Sequence, residues 1–186
     1  MSKLIVISAP SGAGKTSIVH FLLKNQKNLT FSISATSRAK RENEIDKKDY
    51  YFLTTEEFKN KIKENDFLEW EEVYDNQFYG TLKSEILRIT DSNKIVVFDV
   101  DIAGALNIKQ QFGQNCLAIF IMPPSLEILQ KRLSARGSEN EDALNIRLNK
   151  AESEISRNLE FDNIVLNDDF SLACNKVLHI VNDFIN

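Results

Sequence analysis

Four short, almost wholly apolar runs punctuate the chain: Leu4-Ile5-Val6-Ile7, Ile95-Val96-Val97-Phe98, Leu117-Ala118-Ile119-Phe120-Ile121 and Ile164-Val165-Leu166. Runs of this kind are what strands look like in a parallel sheet covered by helices on both faces. Phe31-Ser32-Ile33-Ser34 alternates instead and predicts the second strand in chain order. Between the first two strands, Ile18, Val19, Phe21, Leu22 and Leu23 leave a polar face, which predicts a helix over 15–24. Strand, loop, helix, strand is a βαβ unit and implies a parallel sheet. Further helices are predicted over about 125–135, 141–157 and 171–184. The last carries Leu172, Val177, Leu178, Val181 and Phe184 at roughly helical spacing.

The stretch from about 35 to 83 breaks this rhythm. It is polar and charged, with aromatics at Tyr50, Tyr51, Phe52, Phe67, Trp70, Tyr74, Phe78 and Tyr79. Thr54-Thr55-Glu56-Glu57 has the form of a capping box opening a short helix. The stretch reads as an insertion of short strands and one helix. A second insertion is expected over about 126–157, where charges are dense and Arg136-Gly137-Ser138 interrupts the helical pattern.

Composition narrows the class. With 186 residues and 42% hydrophobic content, the chain suits one domain with a sizeable core. Its net charge of −4 argues against a general nucleic-acid or membrane-surface binder, so any anion site must be locally basic. The apolar runs fall far short of the roughly 20 residues a membrane helix needs. The N-terminus lacks a charged segment followed by a long apolar one, so a cytoplasmic protein is expected. Cys116 and Cys174 fit no metal or redox spacing and read as buried free thiols.

The strongest chemical signal is Ala9-Pro10-Ser11-Gly12-Ala13-Gly14-Lys15-Thr16. It follows a strand, opens a helix and matches G-x-x-x-x-G-K-[ST] with alanine in the first glycine's place. Glycines let backbone N–H groups point at phosphate oxygens, and the helix N-terminus adds partial positive charge. Lys15 brings an ammonium to the outer phosphates, and the Thr16 hydroxyl suits Mg²⁺. Ala9 is compatible with this loop if its φ is negative. A plain glycine-containing surface turn is the competing reading.

Asp99 ends the strand Ile95-Val96-Val97-Phe98, where ligands of parallel sheets gather. Beside a phosphate loop it is a candidate Mg²⁺ contact with Thr16; otherwise it is a turn residue. Asp101 either shares that site or caps the next helix. Arg38, Lys40 and Arg41 form a basic cluster beyond the second strand, suited to phosphate or simply solvated. Lys40 reads as surface. Glu69, within Phe67-Leu68-Glu69-Trp70, fits the guanine edge, whose N1–H and 2-amino group both donate; a salt-bridged strand residue is the alternative.

Many short motifs in one order extend the pattern. They include Ser34 to Arg38 with Arg41 and Glu44, Asp49-Tyr50, Phe67-Leu68-Glu69-Trp70, Tyr79-Gly80-Thr81 and Asp99-Val100-Asp101. Pro123-Pro124-Ser125, Lys131-Arg132-Leu133, Arg136-Gly137 and Asn167-Asp168-Asp169 continue it. With the phosphate loop, these make the chain resemble the guanylate kinases, P-loop nucleoside monophosphate kinases, over essentially its full length.

The resemblance implies an α/β, three-layer P-loop fold with a parallel core sheet, a small mixed GMP-binding insertion and a helical lid. The core would be about 1–33, 84–125 and 158–186, the insertion about 34–83 and the lid about 126–157. ATP would bind Ala9 through Ser17, with Asn167 and Asp168 on its adenine side; there, a plain turn competes. GMP would meet Ser34, Arg38, Arg41, Glu44, Tyr50, Glu69, Tyr79, Gly80, Thr81, Asp99 and Asp101. Of these, Arg38 and Arg41 would hold its phosphate, with the Tyr50 and Tyr79 hydroxyls assisting. Ser34 and Thr81 would read the base with Glu69. Lys15, Arg38, Arg132, Arg136 and Arg147 would neutralise charge during transfer, and Thr16 and Asp99 would hold Mg²⁺. Arg132, Arg136 and Arg147 otherwise read as solvated helix charges. One departure concerns the turn after Arg41, which is glycine-rich in the family and reads Glu42-Asn43-Glu44-Ile45-Asp46-Lys47 here.

The implied reaction carries the γ-phosphoryl of ATP to GMP, and to dGMP as a second acceptor, in a cytoplasmic monomer or homodimer. A phosphate nucleophile is already anionic, so neither His20 nor His179 is needed as a base. Two rivals share the scaffold. Guanylate-kinase-like modules bind phosphopeptides without catalysis and lack an intact phosphate loop. Other phosphotransferases act on acceptors such as ribose bisphosphate, and for these Ser34, Glu69 and Thr81 would have no purpose.

Overall fold

The computed structural model describes residues 3–134 and 141–186. In chain order the elements begin with β1 (Leu4–Ser8), α1 (Lys15–Asn25), β2 (Leu29–Phe31), β3 (Ala35–Thr36) and β4 (Tyr51–Phe52). They continue with α2 (Thr55–Lys63), β5 (Phe67–Tyr74), β6 (Gln77–Leu82), α3 (Lys83–Thr90) and β7 (Ile95–Asp99). α4 (Ile102–Phe112), β8 (Cys116–Met122), α5 (Leu126–Ser134), α6 (Glu141–Ser156), β9 (Asn163–Leu166) and α7 (Phe170–Ile185) complete the fold. The chain divides into two compact units, Lys3–Lys27 with Val97–Asn186, and Asn28–Val96.

The core sheet has five strands in the order β2-β7-β1-β8-β9. β1 runs parallel to β8, with Leu4 opposite Cys116, and β8 runs parallel to β9. Every residue of β1 is buried, as are all but the last of β8. This is why these strands read as unbroken apolar runs. In the first unit α4 lies against β1 and β8, and α1 against α7. Cys116 and Cys174 are free and buried; burial pushes the Cys116 thiol up to about 12, so it stays protonated. No helix among the described residues is long and apolar enough to cross a membrane.

The second unit carries a four-stranded sheet, β4-β3-β6-β5. β3 pairs parallel with β4 and antiparallel with β6, and β5 and β6 form an antiparallel pair. Its core is Ala35, Phe58, Phe67, Phe78 and Leu82, with the Phe58 ring stacked 4.2 Å from Phe67 and 5.5 Å from Phe78. The capping box at Thr54 forms as predicted: the Thr54 hydroxyl accepts from Glu57 N–H, and the Glu57 carboxylate accepts from Thr54 N–H. Gly80 allows β5 and β6 to close. A Cβ there would lie 2.6 Å from the Glu69 carbonyl oxygen and 2.8 Å from Trp70 Cβ. Gly80→Ala is therefore expected to destabilise the protein by about 1–3 kcal/mol in denaturant unfolding. An unchanged midpoint would contradict the close approach.

Two expectations need correction. Phe31-Ser32-Ile33-Ser34 is not one strand: β2 ends at Phe31, β3 begins at Ala35, and 32–34 belong to neither. The Ile33 N–H donates not to a strand neighbour but to the Glu85 carboxylate, at 3.0 Å. Helix α3 was not expected, and α4 was expected only as the helix that Asp101 would cap. α4 opens on Asp101, whose carboxylate accepts from Gly104 N–H at 2.8 Å, and buries Ile102, Ala105 and Ile108.

Candidate active site

The phosphate loop sits between β1 and α1. Gly12 and Gly14 have φ of 87° and 95°, a conformation that glycine adopts without strain. Gly14 is also the N-cap of α1, so the helix N-terminus opens on the loop. Ala9 is buried and is not among the residues with positive φ, so alanine meets the loop's requirement there.

Three sequence-predicted residues come together beside this loop. Lys15 Nζ pairs with Asp99 and donates to the Val100 carbonyl at 3.0 Å. The Thr16 hydroxyl donates to Asp99 Oδ2 at 3.3 Å. Asp99 thus ends β7 within reach of both loop side chains, as the strand-end position requires. Asp101, one of two expected roles open to it, caps α4.

Asn167 has a structural contact that the sequence did not reveal. It is buried, and its side-chain amide donates to the Ala13 carbonyl at 2.7 Å, clamping the loop. A Cβ on Gly14 would lie 2.4 Å from its Nδ2. The Asn167 carbonyl accepts from Arg132 Nη2 at 3.2 Å, which brings a predicted transfer arginine onto the same strand end. Asp168 is exposed, and Asp169 caps α7 through Leu172 N–H at 2.9 Å. Ser8, to which the sequence assigned no separate role, donates its hydroxyl to Val100 O at 2.9 Å. A serine closing an otherwise apolar strand was the available signal. Arg147 lies exposed on α6; Arg136 falls outside the described residues.

In the second unit Arg38 is the hub. Its guanidinium donates to the Glu44 carboxylate, at 2.7 Å from Nη1, and to the Tyr79 hydroxyl at 3.1 Å. It also lies 5.1 Å from the Tyr50 ring centre and 5.6 Å from that of Phe52. Arg38, Glu44, Tyr50 and Tyr79 are therefore one cluster, and Arg41 joins it through its backbone N–H on Glu44 at 2.8 Å. Lys40 is exposed, as expected. The departing turn after Arg41 is built from carboxylates. Asp49 accepts from Ile45 N–H at 2.6 Å, Asp46 from Phe52 N–H at 3.0 Å, and Lys47 takes a φ of 62°. Glu69 and Thr81 face each other across β5 and β6, and the Thr81 hydroxyl donates to Glu69 Oε1 at 2.7 Å. Ser34 accepts at its carbonyl from Tyr51 N–H at 2.9 Å.

The hydrogen bond from Arg38 is the main reason the Glu44 carboxyl falls to about 2; burial opposes it, and the Arg41 N–H adds to it. The folded value lies below the ordinary carboxylate value of about 4.3. The pair's contribution to stability is therefore complete above that value and fades as pH falls toward about 2. The stability difference between wild type and Glu44→Gln is expected to be flat above pH ~5 and to shrink below ~4. A difference that grows on acidification would contradict the pairing.

A parallel sheet, a phosphate loop opening a helix, and a lysine, hydroxyl and carboxylate converging beside it define a P-loop nucleoside triphosphate-binding protein. Comparison with known proteins narrows this. The guanylate kinase family model matches residues 1–184. The guanylate kinase of Porphyromonas gingivalis is 48% identical over 186 residues, covering 100% of this chain and 99% of that protein. That of Bacteroides thetaiotaomicron is 45% identical, covering 99% and 90%. The crystal structure of guanylate kinase from Anaplasma phagocytophilum superposes with a TM-score of 0.77 at 28% identity, covering 98% of this chain and 85% of that one. The chain belongs to the guanylate kinase family, whose members are nucleoside monophosphate kinases.

Proposed function

We propose that this chain moves the γ-phosphoryl of ATP to GMP, and to dGMP, through the residues described above. The observation that carries the transfer chemistry is the convergence of Lys15, Thr16 and Asp99 beside the phosphate loop. ATP binds the loop from Ala9 to Ser17, with its phosphates on inward N–H groups and Lys15 on the outer oxygens. A hydroxyl and a carboxylate are the hard oxygen donors that Mg²⁺ takes, so Thr16 and Asp99 fit a role in holding it. When bound, the ion supplies charge neutralisation on the phosphates.

On the acceptor side, Arg38 and Arg41 hold the GMP phosphate, with Tyr50 and Tyr79. Glu44 fixes the direction of the Arg38 guanidinium. Glu69 accepts from guanine N1–H and the 2-amino group, and Thr81 and Ser34 support it. Adenine has a lone pair at N1 and no 2-amino group, so Glu69 would face it unpaired. The segment 34–83 is the acceptor-binding insertion and 126–157 the lid. Arg132, Arg136 and Arg147 stabilise the charge spread over the transferring group. Asn167 supports the loop rather than reading adenine alone. No general base is needed, because the attacking phosphate oxygen is already anionic. A cytoplasmic role in purine nucleotide supply fits these substrates.

Product analysis tests this. ADP and GDP are expected in equal amounts from ATP and GMP, with chelation of divalent metal stopping both. ADP without GDP would show hydrolysis rather than transfer and would sink the reading.

A further inference from the structure

Among the described residues, Glu85 on α3 is the only charged residue that is buried, at 2% exposure. Nothing in the transfer chemistry above uses it. Burying a carboxylate is costly unless it is fully hydrogen-bonded, and here four donors converge on it. The Ile33 N–H donates to Oε1 at 3.0 Å, and the Tyr51 hydroxyl to Oε2 at 2.7 Å. Arg88 grips both oxygens, through Nη2 at 2.7 Å and Nε at 2.8 Å. Burial works to raise the Glu85 carboxyl, but Arg88, the Ile33 N–H and the Tyr51 hydroxyl outweigh it and hold it below the usual range. The group therefore stays ionised.

Two of the donors, the Ile33 N–H and the Tyr51 hydroxyl, come from residues that adjoin the acceptor site. Ile33 precedes Ser34, whose carbonyl accepts from Tyr51 N–H at 2.9 Å. Tyr51 follows Tyr50, which lies against Arg38 at 5.1 Å and Tyr79 at 6.1 Å. In extended backbone, neighbouring side chains point to opposite faces. Tyr51 thus reaches inward to Glu85 while Tyr50 serves the phosphate side. Glu85 itself lies in the first turn of α3, which follows directly on β6 and its Thr81.

We propose that Glu85 is a positioning residue for the acceptor nucleotide: its carboxylate locks the Ile33–Ser34 and Tyr50–Tyr51 segments to α3, setting the spacing of Ser34, Tyr50 and Thr81. This rests on the acceptor assignment made above. Glutamine at this position keeps the shape but, whichever way the amide turns, sets its N–H₂ against an Arg88 nitrogen that can only donate. The segments would shift, and displacements of about 1 Å at a binding site can cost about a hundredfold.

The test compares wild type, Glu85→Gln and Tyr51→Phe in steady-state kinetics, thermal unfolding and GMP calorimetry. Glu85→Gln is expected to raise KM for GMP by about ten- to a hundredfold and leave KM for ATP within about twofold. Tyr51→Phe loses one donor and is expected to shift KM for GMP in the same direction by about threefold or more. A lowered unfolding temperature with both KM values unchanged would make Glu85 a stability device and overturn the proposal. If Glu85→Gln does not fold, Tyr51→Phe decides in the same way. Wild type that binds no GMP would remove the acceptor assignment itself, and the proposal with it. Wild type that binds GMP, with variants that match it, would overturn the positioning role alone.

Discussion

Replacing Lys15 with alanine is expected to abolish phosphoryl transfer and leave the fold intact. Lys15 Nζ pairs with Asp99 and donates to the Val100 carbonyl beside the phosphate loop. Its side chain is 20% exposed, and Asp99 keeps the Thr16 hydroxyl as a partner when the pair is lost, so the fold is expected to persist. The chemical loss is of another order. Charge that develops on the transferring group in the transition state loses its fixed cation, and comparable cations in phosphoryl transfer are worth about a thousandfold or more. Measured kcat should fall by at least about a thousandfold, while the unfolding temperature moves by only a few degrees. Near-normal turnover in the variant would refute the role of the loop.

The second large effect is at Glu69. Glu69→Gln keeps the β5–β6 pair and the size of the side chain. It replaces an acceptor-only carboxylate, held by the Thr81 hydroxyl at 2.7 Å, with an amide that presents donors of its own. Guanine N1–H and its 2-amino group would then meet a donor. Sites built around such hydrogen bonds reject mismatched partners by about 10⁴. With one amide oxygen still able to accept, a fall in kcat/KM for GMP of about a hundredfold or more is expected. Affinity for ATP should stay within about twofold. Equal GMP kinetics in the variant would remove the base-reading role.

Some of this was legible in the chain because its physics is local. The phosphate loop is one continuous segment, and its glycines, lysine and threonine carry their geometry with them. Asp99 was legible because a strand's C-terminal end fixes where its last side chain stands. Buried strands announce themselves by composition, and the Thr54 capping box by its spacing. Other features depend on partners distant in sequence. Ser32 to Ser34 alternate like a strand, yet Ile33 gives its N–H to Glu85, 52 residues away. Asn167 reads as a turn residue until its amide is seen on Ala13, 154 residues earlier. α3 is only eight residues long and follows β6 directly, so its period had little room to show. Asp101 was ambiguous because an aspartate after a strand serves a ligand or a helix cap equally well, and the cap is visible only in three dimensions.

The measurement that bears most directly on the central claim is ADP formation from ATP and Mg²⁺ with GMP, dGMP, AMP, UMP and ribose bisphosphate offered separately. Strong turnover with GMP and dGMP and almost none with AMP is the predicted result. Turnover with ribose bisphosphate alone would keep the phosphate loop but contradict the acceptor assignment, and no turnover with any acceptor in folded protein would contradict the kinase itself.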